Sequence, residues 1–255
     1  MQQLTIVKVG GKIVEDPDSM TAFLKDFSLL AGHKILVHGG GSSATALAEK
    51  LGIETKMTEG RRITDSEMLK IVTMVYAGLV NKNIVAQLQN LRIDALGLTG
   101  ADMNLILSEK RPVREIDYGF AGDIKKINVP TLLELLKQNY LPVIAPLTHD
   151  GKGTLLNTNA DTIACEIAKA MAFDYNVRLI YCFEKKGVLL NENDEESLIQ
   201  FLDLELYKQY KNEGIIHSGM IPKLDNAFEA IAAGVKEVII THSSDVNTRK
   251  GTILQ

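Results

Sequence analysis

The fold is decided by residues 4–51, which read LTIVKVGGKIVEDPDSMTAFLKDFSLLAGHKILVHGGGSSATALAEKL. Two short runs rich in Val, Ile and Leu, at 4–9 and 34–38, each end at a group of glycines. An amphipathic helical pattern follows each run, at about 17–31 and 42–51. Because parallel strands need a long crossover, which is usually a helix, this order predicts a parallel strand pair in an α/β protein.

The same alternation of strand and helix patterns continues along the chain. Further strands are predicted at 93–98, 141–145, 177–183 and 237–241. Further helices are predicted at about 65–91, 131–139, 159–172, 203–212 and 222–233. Helices on both faces of a mainly parallel central sheet make a three-layer α/β sandwich. Turn residues predict hairpins at the rim, at Glu59-Gly60, within 102–114 and at Asp150-Gly151.

Composition and charge exclude several classes of protein. The chain has 255 residues, of which 45% are hydrophobic and 24% charged, so disordered and disulfide-rich classes are excluded. Its 28 basic and 32 acidic residues give a net charge of −4, which does not favour a nucleic-acid partner. The N-terminus lacks the basic region of a signal peptide, and no window approaches the roughly 18 apolar residues of a membrane span. With two cysteines interpreted as reduced core thiols, the chain is predicted to be cytoplasmic and to have no membrane partner.

Two glycine clusters follow the first two predicted strands. They are Lys8-Val-Gly10-Gly11 and His38-Gly-Gly40-Gly41. In a parallel sheet, ligands gather at the carboxyl ends of the strands, and glycines there leave backbone N–H groups open to an anion. The second cluster also opens a helix, whose positive dipole end favours an anion. A dinucleotide-binding fingerprint is the competing interpretation, but no strand ending in Asp or Glu follows about 20 residues later, as that motif requires.

Polar residues before two predicted helices suggest a binding site for carboxylates. Arg61 and Arg62 follow a predicted turn, and an arginine fork suits a carboxylate in bidentate geometry. Residues 157–161 read Asn-Thr-Asn-Ala-Asp, and one N-cap explains only one of the two asparagines, Asn157 and Asn159. Asp161 begins an apolar helix, so it is predicted to be partly buried and to need cationic partners.

A lysine near the start of the last predicted helix is the remaining candidate. Lys223 closes the run Gly219-Met-Ile-Pro-Lys, where a cation opposes the helix dipole unless an anion lies opposite. None of the five histidines forms a pair at metal-ligand spacing, so no protein metal site is predicted.

The ordered set of these motifs resembles the amino acid kinase family. It consists of Lys-x-Gly-Gly, His-Gly-Gly-Gly, Gly-x-Arg-x-Thr, Asn-x-Asn-Ala-Asp and Gly-Met-x-x-Lys, and the resemblance covers essentially the whole chain. Within the family it is strongest to members that phosphorylate N-acetyl-L-glutamate. The resemblance implies the carbamate kinase-like fold, with an N-terminal lobe (1–173) for the acylated amino acid and for dimerisation, and a C-terminal lobe (174–255) for ATP.

The resemblance also implies a role for each motif residue. Lys8 and Lys223 would stabilise the transferring phosphoryl group as catalytic residues, and Asp161 would hold both ammonium groups. Backbone groups of Gly10 and Gly11 would bind phosphate. The N-acylglutamate would bind to Gly40, Gly41, Arg62 and Asn157. Magnesium would arrive with ATP, and the chain would form a homodimer through the helix predicted at 65–91, as enzymes of arginine biosynthesis in this family do.

Three departures from the family pattern leave alternatives open. The run from Phe183, Phe-Glu-Lys-Lys-Gly-Val, replaces the usual Thr/Ser-Asp-Val, and the segment after His242 is shorter, so the ATP contacts there stay undefined and a non-catalytic amino-acid sensor is the alternative function. Arg61 replaces a mostly aliphatic residue. If Arg61 lines the acyl pocket it would pair with a second carboxylate, as in N-succinylglutamate. If it turns to solvent, Phe120 and Ile63 would line a pocket for an acetyl group.

Overall fold

The computed structural model describes residues 1–58, 60–217 and 219–255. Its strands, numbered in chain order, are β1 Gln3–Val9, β2 His33–His38, β3 Met57–Thr58, β4 Arg61–Arg62, β5 Ala95–Leu98, β6 Ile106–Lys110, β7 Gly122–Ile127, β8 Leu141–Ile144, β9 Leu147–His149, β10 Leu155–Asn157, β11 Asn176–Phe183, β12 Phe201–Leu202, β13 Glu237–His242 and β14 Thr252–Leu254. Its α-helices are α1 Lys12–Glu15, α2 Pro17–Ser28, α3 Gly41–Lys50, α4 Ser66–Val72, α5 Asn81–Asn90, α6 Val129–Lys137, α7 Ala160–Met171, α8 Leu204–Asn212 and α9 Met220–Ala232.

The central sheet has eight strands in the order β12-β14-β13-β11-β1-β2-β8-β5. From β13 to β5 every neighbouring pair is parallel, whereas β14 runs antiparallel to β13. These six parallel strands are the six that the sequence predicts, so the mainly parallel α/β fold is confirmed. Strands β12 and β14 were not predicted, because runs of 2 and 3 residues are too short to show a period.

Alternating side chains of the central sheet pack against helices on both faces. Leu4 and Ile6 belong to a buried cluster with apolar residues of α6, α7 and α9. Val7 and Val9 belong to a second cluster with residues of α2, α3 and α4. Because side chains alternate along a strand, Lys8 lies on the face of Leu4 and Ile6, toward α7 and α9. The three-layer architecture is therefore confirmed.

The rim of the molecule carries two smaller sheets. One has the order β10-β9-β6-β7, and the other is the pair β3-β4. The turn at Asp150-Gly151 joins the antiparallel strands β9 and β10, as predicted. The segment 102–114 contributes β6, whose antiparallel partner is β7, beyond that segment. The predicted turn at Glu59-Gly60 lies between β3 and β4, and Glu59 itself is outside the described residues.

One continuous helix of 25 residues runs from Ser66 to Asn90. Its middle turns, Thr73–Val80, form a π-helix between α4 and α5. By length and composition alone this helix could cross a membrane. The prediction that no segment of the chain is apolar enough to do so was therefore wrong for this helix. However, Met68, Ile71 and Val75 are buried in the protein, and core helices commonly pass the same test.

The strand order places a topological switch point at the centre of the sheet. From β1 the chain crosses to β2 on one side, whereas all the strands of this sheet that follow β11, namely β12, β13 and β14, lie on the other side. Strands β1 and β11 are parallel neighbours, with Val9 opposite Cys182 near their carboxyl ends. Ligands of open α/β sheets bind in the crevice beyond such a point. The loops that follow Val9 and Phe183 therefore border the expected site.

Candidate active site

Two lysines and one aspartate meet at the carboxyl end of β1. Lys8 Nζ lies 2.7 Å from Asp161 Oδ1, and Lys223 Nζ lies 2.7 Å from Asp161 Oδ2. Lys8 comes from β1, Asp161 from the first turn of α7, and Lys223 from the first turns of α9. The predicted cationic partners of Asp161 are thus present. A carboxylate opposite Lys223 also offsets the unfavourable position of that lysine near a helix N-terminus.

Burial governs the electrostatics of this triad of Lys8, Asp161 and Lys223. Their side chains are only 15%, 19% and 12% exposed. Burial alone would raise the pKa of Asp161, but the ammonium groups of Lys223 and Lys8 lower it well below its usual range. Burial lowers the pKa of Lys223, and the charge of Asp161 offsets part of this shift. With both lysines protonated, the triad carries one net positive charge.

Aromatic rings of β11 support Lys223. Its Nζ lies 4.9 Å from the centroid of the Tyr181 ring and 5.9 Å from that of Phe183. The Tyr181 hydroxyl donates a hydrogen bond of 3.3 Å to the carbonyl of Asp161. The electron-rich ring faces attract a cation, so these contacts hold the ammonium group in position.

The first glycine cluster approaches the triad with little space for side chains. A Cβ on Gly10 would lie 2.6 Å from Lys8 Nζ. Gly11 has a φ of 61°, in the left-handed region that favours glycine, and a Cβ there would lie 2.2 Å from Glu184 Oε1. The backbone N–H of Lys12 donates to that same oxygen at 2.7 Å. Glu184 is therefore the residue of the unusual segment after β11 that contacts this loop.

The second glycine cluster, Gly39 to Gly41, lies beside the first. The N–H of Gly39 donates to the carbonyl of Val9 at 2.8 Å, and a Cβ on Gly39 would lie 3.4 Å from Gly10 Cα. Arg62 joins this cluster to the β3–β4 hairpin, because its Nη2 donates to the carbonyl of Gly41 at 2.8 Å. The two glycine clusters and Arg62 thus form one continuous wall.

The second glycine cluster and Arg62 border a cavity of about 210 Å³, called here the first cavity. Its lining includes Arg61, Arg62, Tyr76, Arg111 and Asn157. The Asn157 amide donates to Thr64 Oγ1 at 2.9 Å. The apolar lining consists of Met57, Tyr76, Ala121, Pro146 and Ala160. Phe120 and Ile63, which were expected to line an acyl pocket, are not among the lining residues.

A second cavity of about 890 Å³ adjoins the first. Both are lined by Gly60, Arg61 and Asn159. The second cavity also contains Asp161 and Lys223 in its lining. Asn159 and Ala160 of the first cavity directly precede Asp161 of the second, so the triad lies beside the border between the two cavities. With its positive charge and adjacent backbone donors, such a place suits two anions brought together.

The structure brings every predicted site residue to this region. Lys8, Asp161 and Lys223 form the triad. Gly10 lies against Lys8, and Gly11 follows it against Glu184. The other predicted residues line the first cavity, namely Gly40, Gly41, Arg62 and Asn157. The two asparagines have different positions, since Asn159 is the N-cap of α7 and accepts the N–H of Thr162, whereas Asn157 lines the cavity.

Three residues of the site were missed as contributors. Arg111 forms an ion pair with Asp123, in which Nε and Nη2 donate to Oδ1 at 3.0 and 2.5 Å and Nε also lies 3.2 Å from Oδ2. Tyr76 packs against Gly40 from the π-helix, and Glu184 contacts the first glycine loop. The departure from the family pattern at Glu184 was a sequence signal. Arg111 and Tyr76 gave none, because only the fold brings β6 and the long helix to the cavity.

Comparison with known proteins identifies the family. The sequence profile of the amino acid kinase family matches residues 3–242. The chain belongs to the amino acid kinase family. It is 61% identical over 252 residues to the acetylglutamate kinase of Parabacteroides distasonis, covering 99% of each chain. It is 59% identical over 254 residues to that of Phocaeicola vulgatus, covering 100% of this chain and 99% of the other.

The fold of this family member agrees with a solved structure. The carbamate kinase of Giardia lamblia bound to AMP-PNP superimposes with a TM-score of 0.71 at 14% identity, covering 98% of this chain and 97% of the other. This likeness confirms the carbamate kinase-like fold. Among the described residues, no group of three or more His, Cys, Asp or Glu side chains could hold a metal ion.

Proposed function

We propose that this chain is an N-acetyl-L-glutamate 5-kinase, which transfers the γ-phosphoryl group of ATP to the γ-carboxylate of N-acetyl-L-glutamate. The observation that carries the proposal is the Lys8–Asp161–Lys223 triad, of which Asp161 and Lys223 line the second cavity beside its border with the first. Both reacting groups are anions, so the reaction needs fixed positive charge at the point where they meet. Two relatives that are 61% and 59% identical to this chain, over nearly the whole length of both proteins, are named acetylglutamate kinase.

The reaction needs positioning and charge stabilisation more than proton transfer. An oxygen of the ionised γ-carboxylate attacks the γ-phosphorus, the bond to the β,γ-bridging oxygen breaks, and the products are an acyl phosphate and ADP. No proton is moved, because the nucleophile is already a carboxylate at neutral pH. Lys8 and Lys223 stabilise the charge that spreads over the transferring group. Asp161 keeps the two ammonium groups apart from each other and in fixed positions.

The first cavity has the donors that an acylated amino acid requires. Arg62 is anchored to the carbonyl of Gly41 through Nη2, and its planar fork suits the α-carboxylate. Asn157 would bind near the substrate amide. Backbone N–H groups of Gly40 and Gly41 would receive the γ-carboxylate, and those of Gly10 and Gly11 would receive phosphate. Apolar atoms of Tyr76 and its neighbours in the cavity wall would contact the acyl group.

The residues of the second cavity fit a nucleoside triphosphate. Lys223 and the N-terminus of α9 lie in its wall, and both attract phosphate oxygens. Glu184 packs so closely against Gly11 that a side chain at this position would displace the first glycine loop. When bound with ATP, Mg²⁺ would neutralise phosphate charge, held mainly by the nucleotide as this strongly hydrated ion usually is.

The lobes, the pathway and the oligomeric state follow from the same proposal. Residues 1–173 would bind the acylated amino acid and residues 174–255 would bind ATP, in a cytoplasmic enzyme of arginine biosynthesis. A homodimer would form through the helix Ser66–Asn90, where Met74 and Leu79 are 52% and 57% exposed. Sedimentation should give the mass of a dimer, and Leu79→Glu should shift it toward the monomer. A hexameric mass, or inhibition by arginine, would contradict this assignment.

Coupled ADP release with N-acetyl-L-glutamate and Mg-ATP tests the activity. We expect ADP release that depends on the acylglutamate, with an acyl phosphate that hydroxylamine traps as a hydroxamate. Tight binding of N-acetyl-L-glutamate without ADP release above the enzyme-free rate would contradict a kinase and favour the sensor. That alternative has the same fold but no turnover.

A second candidate substrate, N-succinyl-L-glutamate, is favoured by one observation. Arg61 lines both the first and the second cavity. Arg111 also lines the first cavity, but Asp123 already neutralises it. A second carboxylate on the acyl chain would therefore pair with Arg61. Arg61 is nevertheless exposed and adjacent to Arg62 in β4, so their side chains leave opposite faces of the strand.

Side-by-side kcat/KM values for the two acids decide between them. If N-succinyl-L-glutamate is the preferred substrate, Arg61→Leu should remove that preference and leave the turnover of N-acetyl-L-glutamate nearly unchanged. A preference for the acetyl compound that the substitution does not alter would exclude the succinyl substrate.

A further inference from the structure

The conformation of the second glycine loop depends on a buried histidine next to it. His38 ends β2 and is completely buried. Its ring Nδ1 lies 2.7 Å from the carbonyl oxygen of Gly39. Since a carbonyl only accepts hydrogen bonds, Nδ1 has to carry the proton in this pair. The Gly39 carbonyl is therefore held toward the interior of the protein.

Asn81 contacts the other nitrogen of the same ring. Its Nδ2 lies 3.1 Å from His38 Nε2 and 2.9 Å from the carbonyl of Val143, to which it donates. Its Oδ1 accepts from Lys82 Nζ at 3.1 Å, which fixes the orientation of the amide. An amide N–H facing Nε2 requires that nitrogen to be an acceptor. The network therefore assigns the neutral tautomer with its proton on Nδ1.

The environment keeps this ring neutral. Burial lowers the pKa of His38 to about 4, the hydrogen bond to Gly39 opposes the shift, and the charge of Lys82 adds to it. A neutral ring has one donor and one acceptor, and the Gly39 carbonyl and Asn81 amide use both. The arrangement is thus completely satisfied, which buried polar groups require.

The orientation of the Gly39 carbonyl fixes that of the next N–H group. The carbonyl of Gly39 and the N–H of Gly40 belong to one planar peptide unit, which is trans. In a trans unit the two groups point in opposite directions. A carbonyl turned to the interior therefore directs the Gly40 N–H outward, on the side of the first cavity that Gly40 lines.

The π-helix holds the same loop from a second direction. Tyr76 lies in its middle, and a Cβ on Gly40 would be 3.0 Å from the Tyr76 ring. Asn81 follows its last residue. A π-helical turn contains an extra residue and so rotates everything after it, relative to an α-helix, and such insertions often occur at functional sites. One helix therefore positions both Tyr76, which packs against Gly40, and Asn81, which contacts His38.

We propose that His38 and Asn81 are positioning residues, which orient the Gly40 N–H toward the γ-carboxylate of the substrate through the Gly39 carbonyl. This inference rests on the proposed kinase function. It predicts that changes in the network alter the kinetic constants for N-acetyl-L-glutamate and leave the binding of ATP unchanged.

Two substitutions of His38 separate the two ring nitrogens. In His38→Asn the amide nitrogen is bonded to Cγ, as Nδ1 is, so the donor to Gly39 is retained. In His38→Gln the amide lies one bond further, near Nε2, and that donor is lost. We expect His38→Gln to lower kcat/KM for N-acetyl-L-glutamate by roughly 10²-fold, since misplacing a reacting group by about 1 Å costs that much. His38→Asn should retain most of the activity, and the KM for ATP should be unchanged in both.

Histidine-selective ¹⁵N NMR tests the network without any assay of activity. We expect a one-bond N–H coupling at Nδ1 of His38 and none at Nε2, and the reverse pattern would overturn the proposal. Equal losses in His38→Asn and His38→Gln, or equal effects on both substrates, would also overturn it. His33→Gln is the matched control, because His33 lies at the far end of the same strand against Tyr175.

The outcomes distinguish failure of this inference from failure of the proposed function. An active wild-type enzyme whose His38 variants are unaffected would refute only the positioning role. A wild-type chain without acylglutamate-dependent ADP release would refute the kinase. In that case calorimetric binding of N-acetyl-L-glutamate to His38→Asn and His38→Gln still tests the loop, with weaker binding expected in the glutamine variant.

Discussion

Replacing Asp161 by asparagine removes the negative charge between two buried lysines while keeping the shape of the side chain. Each Lys–Asp contact spans 2.7 Å. At that distance and an effective dielectric constant of about 20, the attraction is about 6 kcal/mol per pair before desolvation is subtracted. Removing one partner of such a buried arrangement costs about 3–5 kcal/mol of stability, because it leaves uncompensated charge.

The free energy of unfolding that Asp161→Asn removes has an upper limit, because a lysine left without its counter-charge can become neutral by releasing a proton. Moving a lysine from its usual pKa of about 10.4 to neutrality at pH 7 costs about 4.6 kcal/mol, at about 1.4 kcal/mol per pH unit. This agrees with the range above. Lys223 is the lysine to respond, because burial and Lys8 already lower its pKa and only the charge of Asp161 opposes them substantially.

The Asp161→Asn variant should therefore show two kinetic changes. First, kcat should fall by roughly 10²-fold or more, the scale found when a preorganised charge-stabilising group is lost. Second, the alkaline limb of the kcat profile should move to lower pH. The sign follows because a lysine with a lower pKa becomes neutral at a lower pH, and only the protonated form stabilises the transferring group. Coupled ADP release between pH 6 and 9, with urea unfolding of the same samples, measures both.

Glu237→Gln provides a matched control for Asp161→Asn. Glu237 is also a carboxylate between two cations, because it pairs with Arg178 at 2.7 Å and with Arg249. It begins β13, at the opposite end of the sheet from the triad. Its substitution should lower stability without moving the pH profile. If Asp161→Asn kept kcat within a few-fold of wild type, or if both variants shifted the pH profile equally, the electrostatic reasoning would be wrong.

Two further predictions concern the lysines and the first glycine loop. Lys8→Ala and Lys223→Ala should each lower kcat by roughly 10²-fold or more with smaller changes in KM, whereas Lys34→Ala, at the other end of the sheet, should leave kcat unchanged in the same assay. Gly11→Ala should lower kcat/KM for ATP by roughly 10²-fold, because the methyl group would collide with the Glu184 carboxylate and displace the first glycine loop. Gly52→Ala is its control, since Gly52 has a similar φ of 71° with no atom within 4 Å, so it should share the backbone strain without the kinetic loss.

Much of the fold was predictable from local pattern, because each parallel strand is a short apolar run followed by a helix. The same pattern indicated that Asp161 is partly buried, since an acidic residue opens an otherwise apolar helix, and its side chain is 19% exposed. The π-helix was not predictable. Its residues Thr73–Val80 are apolar on almost every side, so a change from 3.6 residues per turn leaves no visible break in the hydrophobic period.

The parts of the site that sequence reasoning missed depend on contacts between distant segments. Arg111 reaches the first cavity because β6 pairs with β7, and the pairing of short rim strands is weakly encoded. Glu184 meets Lys12 across 172 positions of sequence, and Asn81 meets His38 across 43. No periodicity reports such pairs, because they form only when the switch point brings the loops together.

The chemistry explains why the protein keeps a buried ion triad that stability alone does not favour. Desolvating three charged groups costs several kcal/mol each, and apolar residues of similar volume often match or exceed the stability of such an arrangement. An apolar core at the end of β1, however, would offer no positive charge to stabilise two anions that approach each other. In the proposed reaction, Asp161 would permit two largely buried lysines to stay charged, and the triad would retain one net positive charge for the transferring group. The hydrogen-bonded carbonyl of Gly39 serves the same end on the neighbouring loop, because it directs a backbone dipole at the substrate without adding another buried charge.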